Sequence, residues 1–150
     1  MNDVQPTHLA SGAGAIYKLG RLTLIVKTTG TAYTLCEAIE PPGWSAALHR
    51  HATYDETYII CEGRYDCQLG ERLLTLGPGD MMFAPAGTPH SIKNVSAENG
   101  RELVISSPGG VFDAFIADAV RALDPGTAAK LGPGTDFRGI AAKYGIEFLG

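Results

Sequence analysis

The chain has 150 residues and a net charge of −4, from twelve basic against sixteen acidic side chains, which suits one domain of ordinary size. With 45% apolar and 19% charged residues it can bury a sizeable core, and roughly two-thirds of the unfolded surface should disappear on folding. There is no dense Lys/Arg block to form an electrostatic footprint for nucleic acid, and no apolar run approaches the ~18 residues a membrane span needs. The segment before Lys18 carries Asp3 and no basic residue, unlike a secretory leader, so a cytoplasmic location is expected. Cys36, Cys61 and Cys67 are odd in number and lack CxxC spacing. They read as free thiols packed as small hydrophobes, not as a disulfide framework or a zinc site.

Nineteen glycines and nine prolines punctuate the chain at intervals of often seven to thirteen residues, the beat of short strands and turns. Residues 1–20 read as an arm with a short strand around Ala15–Lys18. Leu22–Val26 is apolar and β-branched, and Gly30 marks a turn. Over Thr31–Glu40 the pattern alternates, with Tyr33, Leu35 and Ile39 on one face and Thr34, Cys36 and Ala38 on the other. Glu56–Cys61, Tyr65–Leu69, Arg72–Leu76, Met81–Ala84, His90–Val95 and Glu102–Ser106 all read as strands. They lie close in sequence, so antiparallel hairpins are the natural connection.

After Pro108-Gly109-Gly110 the period changes. Val111–Leu123 places Phe112, Phe115 or Ile116, Ala119 and Leu123 at three- and four-residue steps, with Asp113, Asp118 and Arg121 outward, as in an amphipathic helix that Pro125-Gly126 ends. A second helix is expected from the N-cap Thr135 through Tyr144, with Gly145 as its left-handed C′ residue. Ile146–Leu149 follows as a short apolar tail. The expected organisation is an N-terminal arm over 1–20, a β-domain over 21–110, and a helical tail over 111–150 packed on the outside of it.

Of the four histidines, His8 lies in the arm and has no chemical neighbours. His49 and His51 stand at i and i+2, hence on one face of an extended segment, and Glu56 opens the next strand. Imidazole nitrogen and carboxylate oxygen suit divalent Fe, Ni, Mn, Co, Cu or Zn, and two His with one carboxylate form a facial set that leaves positions open on iron. The surrounding residues read G-x5-H-x-H-x4-E-x6-G from Gly43 to Gly63 and G-x5-P-x-G-x2-H-x3-N from Gly79 to Asn94.

These two motifs, complete and in order, resemble the signatures of the cupin superfamily. The helical tail ending in Tyr144-Gly145-Ile146-Glu147-Phe148 resembles the small quercetin-dioxygenase-like cupins. The resemblance implies an all-β antiparallel jelly-roll barrel (a double-stranded β-helix) with the C-terminal helices outside it. It also implies one divalent transition metal inside, held by His49, His51, Glu56 and His90. Asn94 is expected to bond backbone in a turn, and Asp55 to face solvent.

Such a centre could bind a bidentate enol-ketone and act as a Lewis acid toward it. On the model of quercetinase-like cupins, Glu56 would serve as both ligand and general base. Strand parity suggests Tyr54, Tyr58, Met81, Phe83 and Ile92 as the wall of an apolar pocket for an aromatic or polyketide-like molecule. The expected function is therefore a metal-dependent, dioxygenase-like enzyme. A redox-neutral cyclase, isomerase or lyase on the same centre, or a non-catalytic small-molecule binder, remain as alternatives. A homodimer is expected, because an exposed sheet edge or apolar outer face needs covering.

Overall fold

A computed structural model describes residues 5–29, 32–123 and 137–150. The chain runs β1 (Ala15–Leu19), β2 (Leu22–Thr28), β3 (Thr34–Glu40), β4 (Ser45–His51), β5 (Asp55–Glu62), β6 (Tyr65–Leu69), β7 (Arg72–Leu76), β8 (Met81–Ala84), β9 (His90–Asn94) and β10 (Gly100–Ser107). Helix α1 (Val111–Leu123), helix α2 (Phe137–Lys143) and β11 (Ile146–Phe148) follow. The turn expected at Gly30, the Pro125-Gly126 stop and the Thr135 cap lie outside the described residues. Gly145 does take the left-handed conformation, with φ 73°, that ends α2.

The strands form two antiparallel sheets, ordered β1-β2-β3-β10-β5-β8 and β11-β4-β9-β6-β7. Neither sheet closes on itself, so the expected barrel is corrected to two open sheets whose inner faces share one core. The jelly-roll expectation supposed that strand pairing would run continuously around the shell. Here each sheet ends at unpaired edges, at β1 and β8 in one and at β11 and β7 in the other. The core joins them through Leu24, Cys36, Tyr58 and Val104 from the first sheet and Cys67 and Ile92 from the second.

The helices share the core as well. Phe115, Ile116 and Ala119 of α1 and Ile140 of α2 belong to the same core cluster as the strands. Helical phase on α1 buries Ala122 and leaves Leu123 exposed, one residue from the expected stripe. β4 is longer than the His49-Arg50-His51 stretch legible in the sequence, and β11 adds to its edge, with Phe148 opposite His49 and Ile146 opposite His51.

Candidate metal centre

Both sheets contribute to one buried cluster. In the five-stranded sheet His49 and His90 are direct cross-strand partners on β4 and β9, and His51 lies two residues further on the same face. The β4–β9 register shifts between Ala46 and His49. Such a bulge re-aims the side chains that follow it, and here both His49 and His51 point into the core. In the six-stranded sheet Glu56, the second residue of β5, stands opposite Ser106 of β10. One ligating atom from each of His49, His51, Glu56 and His90 lies within 4.8 Å of the others, and all four residues are buried.

Hydrogen bonds fix how these side chains point. His49 Nδ1 donates to the Ala47 carbonyl at 2.7 Å and His90 Nδ1 to the Thr88 carbonyl at 3.0 Å, which in the neutral tautomer leaves Nε2 as the ligating nitrogen. Pro85, Gly87 and Pro89 shape the approach to His90. Gly87, at φ 86°, sends its N–H to the His51 carbonyl at 2.7 Å, and Asp55 Oδ1 accepts the Ala86 N–H at 2.8 Å. Asp55 thus anchors this turn and is only half-buried. Asn94, fully buried, donates to the Glu40 and Glu98 carbonyls, the backbone role expected of it.

Glu56 is the electrostatic centre of the group. Its Oε1 lies 3.5 Å from His90 Nε2 and 3.9 Å from His51 Nε2. It also accepts a short hydrogen bond from the Tyr58 hydroxyl, while Ser106 Oγ donates to Oε2 at 3.3 Å. Burial works to raise the Glu56 carboxyl, but the imidazoles of His51 and His90 and the Tyr58 hydroxyl outweigh it and bring it to about 2. Burial pushes His51 down to about 4, and burial together with neighbouring His90 lowers His49. At neutral pH His49 and His51 are therefore neutral imidazoles and Glu56 a carboxylate, the protonation states a divalent ion requires. The donor set, its buried position and the carbonyl tethers all fit such an ion.

The cluster lines a cavity of about 540 Å³ between the sheets, walled by apolar side chains including Leu24, Trp44, Ile92, Phe112 and Phe115. Tyr54, Tyr58 and Ile92 are among its lining residues. The Tyr54 ring stacks on His51 at 4.2 Å between centroids, and its buried hydroxyl has no hydrogen-bond partner among the described residues. Met81 and Phe83 do not belong to this wall; they are 57% and 45% exposed. The register explains the correction. Glu56 faces Ala84 and Tyr58 faces Met82 across β5–β8, and directly opposed residues share a face, so Met82 and Ala84 turn inward and Met81 and Phe83 outward. Glu40 and Glu102, which no sequence motif marks, also line the cavity. Their one signal is an acidic residue at the inward parity of a strand.

Residues 37–106 match the Cupin domain family, Cupin_2. The chain is similar to an uncharacterized protein of Methanocaldococcus jannaschii, MJ1618, being 39% identical over 66 residues that make up 44% of this chain and 53% of that protein. It is also similar to quercetin 2,3-dioxygenase of Bacillus subtilis, 33% identical over 93 residues, or 59% of this chain and 27% of that enzyme. The match thus spans about half of the first relative and about a quarter of the second. Among solved structures, TT1209 from Thermus thermophilus is 31% identical with a TM-score of 0.57, covering 63% of this chain and 90% of that one. With both histidine motifs meeting at a single buried point between two antiparallel sheets, the chain belongs to the cupin superfamily.

Proposed function

We propose that this protein is a metal-dependent enzyme acting on an enolisable aromatic or polyketide-like small molecule, in the manner of a quercetinase-like dioxygenase. The observation that carries the reading is the buried three-His, one-Glu cluster set into the wall of an apolar cavity. The partial likeness to quercetin 2,3-dioxygenase supports the oxidative form of it. His49, His51, Glu56 and His90 would hold one divalent ion, which supplies Lewis acidity toward a bound enol-ketone. Glu56 takes the enol proton on Oε1, and Tyr58, whose hydroxyl lies on that oxygen and 3.1 Å from His90 Nε2, steadies the carboxylate and orients it. The apolar wall excludes water and holds a flat substrate against the cluster.

A redox-neutral isomerase, cyclase or lyase is the second reading, favoured by the same Tyr58–Glu56 hydrogen bond, because proton transfer through this pair requires no oxidant. Oxygen consumption separates the two. Turnover of a 3-hydroxyflavone with stoichiometric oxygen uptake supports the dioxygenase. Equal turnover in strictly anaerobic buffer supports the redox-neutral enzyme. Binding without turnover in either leaves a non-catalytic cupin. The same reading takes the protein as a cytoplasmic homodimer: the thiols are free, and the edge strand β8 exposes Met81 and Phe83. Sedimentation of a Met81→Lys variant tests the dimer.

A further inference from the structure

The cavity holds a second polar group away from the histidines. Glu40 at the end of β3 and Glu102 on β10 are both fully buried, and both line the cavity. Glu40 accepts a hydrogen bond from the Tyr65 hydroxyl. Glu40 Oε1 and Glu102 Oε2 have no hydrogen-bond partner among the described residues. No Lys, Arg or His is paired with either carboxyl among the described residues; Glu102 lies between Ala38 on β3 and Ile60 on β5. The two carboxyls hydrogen-bond to each other, and burial beside Glu40 keeps Glu102 in its neutral form, yet the two unpartnered oxygens remain an unmet cost of burial that calls for a compensating role.

Its position relative to the metal cluster follows from the strand. Glu102, Val104 and Ser106 share the inward face of β10, and Ser106 bonds Glu56. Four residues of strand separate Glu102 from Ser106, about 13 Å at ~3.3 Å per residue. Between the two polar ends the lining is apolar, with Leu22, Leu24, Ala38 and Val104. A molecule that reaches both ends is therefore elongated and apolar in its middle. Its far end meets the two unpartnered carboxyl oxygens, Glu40 Oε1 and Glu102 Oε2.

We propose that Glu40 and Glu102 form a substrate-recognition site for a hydroxyl group carried on the end of a planar, apolar molecule remote from the metal cluster. This rests on the cavity being the substrate site of the enzyme proposed above. The hydroxyl donates to the free Glu102 or Glu40 oxygen, and specificity arises because an analogue without a donor leaves those acceptors unmatched.

The test uses the full chain as purified and three probes of one shape: 2-naphthol, 2-methoxynaphthalene and naphthalene, with binding followed by calorimetry or ligand fluorescence. 2-Naphthol should bind about tenfold tighter than 2-methoxynaphthalene, the gain of one hydrogen bond to a carboxyl group. In the double variant Glu40→Met, Glu102→Met the ratio should fall to about one while methoxynaphthalene binding persists. A crystal soaked with 2-naphthol should place its oxygen within hydrogen-bond distance of Glu40 or Glu102, a result that does not depend on how the variants fold. A wild-type ratio near one, no binding of any probe, a preference that survives the double variant, or a naphthol oxygen seated elsewhere would each overturn the proposal. None of these readouts involves oxygen or turnover, so failure of the dioxygenase reading is seen separately, in the oxygen-uptake experiment.

Discussion

Glu56 and Tyr58 stand two residues apart on the inward face of β5 and are hydrogen-bonded to each other, hydroxyl to carboxylate. The pairing gives Glu56 a fixed direction and holds its proton affinity down. Tyr58→Phe removes the donor and keeps the ring. Loss of a hydrogen-bonded partner behind a metal ligand commonly costs about 10–100-fold in metal affinity or activity, and a loss of that size is expected here. Because the variant also frees Glu56 to bind its proton more readily, the acidic limb of the activity profile should move to higher pH. Measuring that limb distinguishes the role from simple packing.

Metal content gives a second test. Protein purified without added metal should carry one divalent ion per chain, measured by elemental analysis, and His90→Ala should carry little while retaining its β-sheet circular dichroism. Since His49, His51 and His90 come from one sheet and Glu56 from the other, the ion would tie the two sheets together. A ligand that binds only the folded state adds ~4 kcal/mol when present at ~1,000 times its Kd. Chelation is therefore expected to lower Tm by several degrees in the wild type and not at all in His90→Ala.

The metal-free protein should show a stability profile limited on both sides by groups of opposite kind. His51 titrates near 6.5 when unfolded and near 4 when folded, because burial disfavours its cation. Between those values the unfolded chain binds more protons, so this contribution is complete above pH 6.5 and is lost as pH falls toward 4. Glu102 behaves in the reverse sense. Burial, reinforced by Glu40, holds its carboxyl well above the ordinary 4.5, so its contribution is complete below 4.5 and declines as pH rises. Urea midpoints measured from about pH 4 to about pH 9 should fall at both ends, and Glu102→Gln should flatten the alkaline side alone.

Gly100 offers a test of packing at the carboxyl pair. A Cβ built there would overlap the Tyr65 hydroxyl oxygen, the group that bonds Glu40. Gly100→Ala must displace the Tyr65 ring, an overpacking cost of about 1–3 kcal/mol. Tyr65→Phe in the same background should recover part of it, since the hydroxyl oxygen is the atom in closest conflict, with the ring Cζ behind it. Equilibrium denaturation of the single and double variants checks both statements.

Much of this architecture is legible in local pattern. Tyr65–Leu69, Arg72–Leu76, Met81–Ala84 and Val111–Leu123 fall where periodicity puts them, and the spacing of His49, His51 and Glu56 already places two imidazoles on one face beside a carboxylate. What local pattern cannot supply is register. Met81 and Phe83 have the parity of a lining pair, yet the β5–β8 pairing sets Met82 opposite Tyr58 and turns them to the outside. Sheet closure is likewise a property of edges meeting in space, not of any segment. Glu40 and Glu102 carry no mark in the sequence, because an acidic residue in an alternating strand reads as solvent-facing until both neighbouring strands are known to bury that face.

The pairing of β11 with β4 sets an order on assembly. Phe148 lies across from His49, with their rings 5.6 Å apart, so a segment made long after the histidines completes the edge beside them. Until Ile146–Phe148 has been synthesised and has docked, β4 lacks that neighbour and the His49 side of the cluster is unshielded. An ion held there would in consequence meet a fully enclosed pocket only once β11 has docked.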